Sequence, residues 1–315
     1  MSTVKNYLSL IKFSHTIFAM PFALIGFFLA SSQWIKLGLT VPDLHLATVF
    51  GGETPQPLEE LMRSLGWTFV LVILCMVFAR SAAMAFNRYL DRDIDALNPR
   101  TAIREVPKGI ITPKNALLFT IGNCLLFMVS TFFINRICFF LSPVALAVVL
   151  GYSYTKRFTP FCHLVLGVGL SLAPIGAFLA VTGKFHLIPV LFSLAVIFWV
   201  SGFDIIYSLQ DEEFDKSQKL YSMPAWLGKA KALRVSEVLH LLSACCVVAA
   251  GKLGGFGPLY WIGVLVFGGM LVYQHSLVKP NDLRRVNIAF MTANGIASVV
   301  FAVFVIADLF LSRSI

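Results

Sequence analysis

Asn87, Asp91 and Asp95 recur at four-residue intervals where a long apolar run ends, in the stretch Asn87-Arg88-Tyr89-Leu90-Asp91-Arg92-Asp93-Ile94-Asp95. Residues three and four apart share a helix face, so these three form a column and Asp93 points away. A second apolar run ends in Asp204, Tyr207, Asp211 and Asp215, which form a second column if the helix continues to Asp215. Charge is expensive beside hydrocarbon, so two acidic rows at membrane-helix ends require a reason. Opposed across a bundle, they would offer several carboxylates and one amide. Hard oxygen donors of that kind suit Mg²⁺, which keeps waters and accepts substrate phosphates as further ligands. The plainer alternative is solvated loop acids paired with neighbouring Lys and Arg. The same spacing in both rows favours a divalent cation with a polyanion behind it.

Membrane helices must position those rows. The chain has 315 residues, 58% hydrophobic and 13% charged. A soluble protein of this length carries roughly a quarter charged residues. Apolar runs long enough to cross a bilayer recur throughout. They are continuous rather than alternating, which excludes a β-barrel. The expected fold is all-α and polytopic, with nine spanning helices near 13–31, 67–90, 115–134, 138–154, 162–182, 186–208, 236–251, 257–277 and 287–311. Residues 1–315 read as one membrane domain. Residues 40–62 form an extracytoplasmic loop, with a short interfacial helix near 57–65 conceivable, and 91–114 and 209–235 form cytoplasmic cap loops.

The net charge of +9 invites a nucleic-acid partner. The basic residues instead collect in alternate short loops, the positive-inside pattern. Lys5, Lys12, Arg100, Lys108, Lys156, Lys216, Lys229 and Arg284 fall on the richer side, whereas Lys36, Arg63, Arg136, Lys184, Lys252 and Arg313 fall on the other. The N-terminus is therefore expected in the cytoplasm, and an odd number of spans puts the C-terminus outside. Both acidic rows lie on the cytoplasmic side. The six cysteines sit in or beside apolar segments without metal-ligand spacing and read as inert thiols. The first run is long for a signal peptide and reads as a spanning helix.

Basic groups follow the rows. Arg88, Arg92, Arg100, Arg104 and Lys108 succeed the first, and Tyr152-Ser153-Tyr154-Thr155-Lys156-Arg157 ends the fourth span. Most serve topology; Lys156 and Arg104 read as clamps for a leaving pyrophosphate. Arg80 lies inside the second span on the face of Asn87, so it should look into the bundle. It could pair with an aspartate or bind an anionic group of a second substrate. Among the 29 Phe, a few lining a pocket could stabilise a carbocation.

The two rows resemble the paired signatures of the UbiA superfamily of intramembrane aromatic prenyltransferases. Further segments are similar to the branch containing 4-hydroxybenzoate polyprenyltransferase and its menaquinone-pathway relatives. They are His15-Thr16-Ile17-Phe18-Ala19-Met20-Pro21-Phe22-Ala23, Arg80-x6-Asn87, Asn98-Pro99-Arg100-Thr101 with Arg104, Tyr152-x3-Lys156 and Leu172-Ala173-Pro174-Ile175-Gly176.

The resemblance implies a helical bundle around a lipid-open cavity with a polar cap on the cytoplasmic side of a bacterial inner membrane. It implies Mg²⁺ held by Asn87, Asp91, Asp95, Asp204, Asp211 and Asp215, with no other cofactor. Arg92, Arg104, Tyr152, Lys156 and Tyr207 would support the diphosphate, and Asp91, Asp211 and Arg80 would carry the reaction. The substrates would be a polyprenyl diphosphate and an aromatic acid, with lipid around the enzyme and no obligate protein partner. Diphosphate leaves, an allylic cation alkylates a ring carbon, and a proton is lost. The default acceptor is 4-hydroxybenzoate, followed by a naphthoate or futalosine-type menaquinone precursor. Arg88 departs from the Asp common at that position, and the 40–62 loop is longer than the family suggests. Two other classes compete. An ion-coupled transporter would place its acids near the midplane at broken helices. An intramembrane aspartyl protease would need a GxGD motif, and neither row has one.

Overall fold

A computed structural model describes residues 3–11, 18–37 and 58–312. The expected loop residues 40–57, together with Lys12, His15–Ile17 and Arg313, lie outside the described residues.

The described chain is helical, with α1 Thr3–Leu10, α2 Met20–Leu37, α3 Leu58–Leu90, α4 Arg92–Leu97, α5 Pro113–Ile134, α6 Arg136–Thr155, α7 Cys162–Thr182 and α8 Leu187–Ser208. A 3₁₀ turn at Leu209–Asp211 leads into α9 Glu212–Ser217, followed by α10 Met223–Leu227, α11 Lys229–Leu253 and α12 Pro258–Leu277. A π-turn at Ile288–Ala293 opens α13 Asn294–Leu311. No strand occurs among the described residues beyond one isolated bridge, Lys279 with Asp282.

Among the described residues helix lies within each expected segment, in the first of them only from Met20, and seven helices are long and apolar enough to cross a membrane. The other two are α2, apolar over Met20–Ser32, and α12. The boundaries differ where polarity hides helix. The interfacial helix expected near 57–65 is continuous with α3, which begins at Leu58. α11 begins at Lys229, earlier than expected, because Gly228 at φ 78 breaks the backbone just before it and its first turns are basic. The expected cap loops carry helix as well: α4 within 91–114, α9 and α10 within 209–235.

Lipid supplies no hydrophobic force between helices, so packing relies on close backbone approach and internal hydrogen bonds. α8 sits at the centre, packed against α7 and α11, while α2 crosses α7, α3 packs on α5, and α12 on α13. Gly26 of α2 lies directly on the Pro174 backbone of α7, and Gly167 of α7 on the Ile197 carbonyl of α8, where no side chain would fit. Phe22, Phe192, Trp199, Tyr260, Phe267 and Phe301 fill the interior. Leu118, Leu125, Phe132, Phe140, Leu265 and Val272 face outward, as lipid contact requires.

Several buried polar side chains bond across helices. Trp199 Nε1 donates to Asn294 Oδ1 at 3.0 Å. Asn294 Nδ2 donates to the Phe290 carbonyl at 2.9 Å, and Gln274 Nε2 to the Ala289 carbonyl at 2.8 Å. The widened π-turn frees these carbonyls, and the amides take them up. At the other end of the bundle, Asp308 accepts from Gly257 N at 2.7 Å and Tyr260 N at 3.2 Å, capping the start of α12.

Candidate active site

The first acidic row straddles a break in helix. α3 stops at Leu90, and Asp91 adopts φ −91, ψ 4 before α4 begins. The hydrogen-bond ladder survives the break, with Asp91 N on Asn87 O at 2.9 Å and Asp95 N on Asp91 O at 2.7 Å. Asn87, Asp91 and Asp95 therefore keep one side, and Asp93 is exposed. Pro99 disfavours helix in the residue before it. Asn98 accordingly turns extended at φ −93, ψ 118 and ends α4. Its side chain accepts from Arg100 N at 3.0 Å, aiming the Arg100 guanidinium back over the bundle end.

The second row also changes winding. The 3₁₀ turn Leu209–Asp211 advances only three residues per turn, so Asp215 leaves the column that a continuous α-helix would make. Asp215 instead accepts from Ser222 Oγ at 2.8 Å.

The two rows meet. Arg100 Nε donates to Asp211 Oδ1 at 3.0 Å, a second guanidinium nitrogen contacts Asp211 Oδ2, and Arg100 Nη1 reaches Tyr207 Oη at 3.0 Å. Asn98 Nδ2 adds a bond to Asp211 Oδ1 at 3.2 Å. Tyr152 lies within electrostatic reach of Asp91 from one row and Asp204 from the other, and of Arg80 and Arg88. Partial burial pulls the Arg100 pKa down, but the Asp211 carboxylate and Tyr207 outweigh it and leave that guanidinium above its ordinary value.

Each acid has a partner. Asn87 Nδ2 donates to Asp91 Oδ2 at 3.0 Å, Lys156 Nζ reaches the same oxygen at 2.5 Å, and Arg157 Nη2 reaches Oδ1 at 2.9 Å. Arg104 Nη1 lies 2.7 Å from both Asp95 oxygens. Arg88 is buried beside them, with Nη1 at 3.3 Å from Asn87 Oδ1 and 4.0 Å from Asp95 Oδ2. His163 Nδ1 lies 2.7 Å from Asp204 Oδ2.

One expected residue, Arg92, stands elsewhere. Arg92 donates to the Tyr89 carbonyl at 2.8 Å, lies over the Tyr89 ring and pairs with Asp93, away from Asp211. Arg80 faces the interior as expected but makes no ion pair among the described residues, and its buried Nε has no hydrogen-bond partner. Arg100, Arg157 and His163 are brought to the rows although spacing did not single them out. Arg157 is legible in the sequence only as a topology charge, and Arg100 as such a charge and as part of the Asn98-Pro99-Arg100-Thr101 resemblance. His163 carried no signal, being a lone histidine at the start of an apolar run. Phe290 stacks on Tyr207 with centroids 4.2 Å apart, backing the second row from the π-turn.

Carboxylates with one amide oxygen suit a hard divalent ion. Among the described residues, no three acidic, histidine or cysteine side chains converge on one point. An ion would therefore be held by one or two carboxylates, with water and phosphate oxygens completing its shell, the usual habit of Mg²⁺.

The sequence matches the UbiA prenyltransferase family over residues 19–296. A 4-hydroxybenzoate octaprenyltransferase of Aeromonas salmonicida (strain A449) is 29% identical over 235 residues, which cover 75% of this chain and 81% of that protein. The apo structure of a UbiA homolog from Aeropyrum pernix K1 aligns with a TM-score of 0.77 at 28% identity, covering 94% of this chain and 98% of that one. A UbiA homolog from Archaeoglobus fulgidus bound to GPP and Mg²⁺ shares the fold, with a TM-score of 0.67 at 18% identity, covering 96% and 99%.

Proposed function

This chain belongs to the UbiA prenyltransferase family, and on that footing we propose that it transfers a polyprenyl group from its diphosphate to a ring carbon of 4-hydroxybenzoate, in respiratory quinone biosynthesis. The observation that carries the reading is the ion pair by which Arg100, in the loop after the first acidic row, holds Asp211 of the second, beside Lys156 and Arg157 on Asp91 and Arg104 on Asp95.

In this reading Asn87, Asp91, Asp204 and Asp211, with Asp95 and Asp215 at the row ends, are the residues from which the one or two carboxylates on each Mg²⁺ would be drawn. The ion would supply Lewis-acid charge to the departing diphosphate. Lys156, Arg157 and Arg104 take the remaining phosphate charge through charge-assisted hydrogen bonds. Tyr152 and Tyr207 orient the headgroup. Arg80 stands inside the bundle with an unpartnered Nε, so it needs an anion from outside the chain. The carboxylate of the aromatic acid is that anion, and binding it would turn the ring toward the allylic carbon. The prenyl tail lies in a cavity open to lipid.

We read α2 and α12 as spanning together with the seven longer helices, which gives nine spans in a single membrane domain. The N-terminus and the acidic rows then face the cytoplasm across a bacterial inner membrane. The test is incorporation of labelled polyprenyl diphosphate by membranes carrying the protein, offered 4-hydroxybenzoate or a naphthoate in parallel. The proposal expects product with 4-hydroxybenzoate. Product with the naphthoate alone would move the acceptor, and none with any acid would overturn the activity.

A further inference from the structure

His163 opens α7 almost fully buried, 3% exposed, and both its ring nitrogens are engaged. The Met223 backbone N–H points at Nε2 at 3.3 Å. A backbone amide can only donate, so Nε2 presents its lone pair and the ring proton sits on Nδ1. That proton is aimed at Asp204 Oδ2, 2.7 Å away.

Asp204 differs from its neighbours in the rows. Asp91, Asp95 and Asp211 are each held by Lys or Arg, whereas Asp204 pairs with no Lys or Arg among the described residues. One imidazole sets its direction. Its side chain keeps 26% exposure, so the carboxylate is not sealed in by the contact with His163.

The far side of His163 leads to a single turn that touches several parts of the site. Tyr221 N donates to the Lys156 carbonyl at 2.7 Å, Ser222 Oγ to Asp215 Oδ2 at 2.8 Å, and Met223 N to His163. Residues 221–223 thus tie the Lys156 end of α6, the last acid of the second row and the start of α7 to one another. His163 extends that tie to Asp204.

We infer that His163 is a positioning residue, holding Asp204 in its working orientation and coupling that orientation to the 221–223 turn that braces Lys156. The inference rests on the prenyl-transfer reading above and adds a residue to it. Partners of this kind behind a ligating carboxylate fix its geometry without touching substrate.

Three variants test it: His163→Asn keeps an N–H near the Nδ1 position, His163→Gln keeps an acceptor near Nε2, and His163→Leu keeps only volume. Activity is measured per folded protein, with kcat and prenyl-diphosphate KM separated and thermal unfolding in detergent followed alongside. We expect His163→Leu to lose roughly 10- to 100-fold in kcat/KM and His163→Asn to stay within about threefold of the parent. His163→Gln should fall with His163→Leu. Unchanged kcat/KM per folded protein in His163→Leu would overturn the inference, as would rescue by Gln and not by Asn. If His163→Leu does not fold, the Asn against Gln comparison decides alone. Absence of transfer in the parent protein would instead strike the proposed function.

Discussion

Arg100 forks onto Asp211, joining the loop after α4 to the end of α8 across positions 111 residues apart in sequence. The fork uses both carboxylate oxygens and leaves one guanidinium nitrogen for Tyr207.

A lysine cannot reproduce that planar fork. Arg100→Lys should therefore lower kcat/KM by roughly 10- to 100-fold although charge is conserved. Steady-state kinetics on purified protein check this, and parent-like values in Arg100→Lys would mean the fork is incidental.

Asp91 and Asp211 anchor the two rows. Asp91→Asn or Asp211→Asn should reduce turnover by about 10³-fold or more, with the elution profile in detergent unchanged. Full activity in either variant would remove that carboxylate from the proposed machinery.

Removal of divalent ions gives an independent check. Excess EDTA should abolish transfer, and added Mg²⁺ should restore it within the same sample. Binding of an unreactive prenyl diphosphate analogue, followed by calorimetry, should weaken in EDTA at least tenfold, or about 1.4 kcal/mol. Unchanged binding and activity in EDTA would exclude the hard-ion role of the rows.

Arg80 makes a separable prediction, because it lacks an internal anion. Arg80→Ala should raise the aromatic-acid KM about tenfold or more while the prenyl-diphosphate KM moves little. Equal effects on both constants would reject its assignment to the acceptor.

A stability prediction concerns the opposite end of the bundle. Asp308 is buried and receives Gly257 N, Tyr260 N and Ser312 Oγ. Asp308→Ala leaves those donors unmatched and should cost about 1–3 kcal/mol, visible as a lower unfolding temperature in detergent. Transfer activity per folded molecule should not change.

The helices were legible because apolar runs of spanning length have few competing explanations. Asn87, Asp91 and Asp95 were legible because four-residue spacing survives even the break at Asp91. Asp215 was misplaced in its column because a 3₁₀ turn leaves no clear trace in Leu209-Gln210-Asp211. Family likeness alone points Arg92 to the diphosphate. Its place immediately after Asp91 turns it toward Tyr89, outside the column. Arg100 and His163 could not be ranked from sequence, because their partners Asp211 and Asp204 lie far along the chain. The polar first turns of α11 hid the helix start at Lys229 for a similar reason: they carry no apolar period.

The pairing of Asp91, Asp95 and Asp211 with Lys156, Arg157, Arg104 and Arg100 has one more consequence. These carboxylates are neutralised within the bundle, and Arg80 alone among the site's basic residues is left without an internal anion among the described residues. In the proposed reading a diphosphate headgroup would swap counterions with the chain, drawing cations off carboxylates as it arrives and returning them when it departs. Such an ion exchange would let one polar pocket stay electrically quiet between turnovers, insulated from the bilayer that surrounds it.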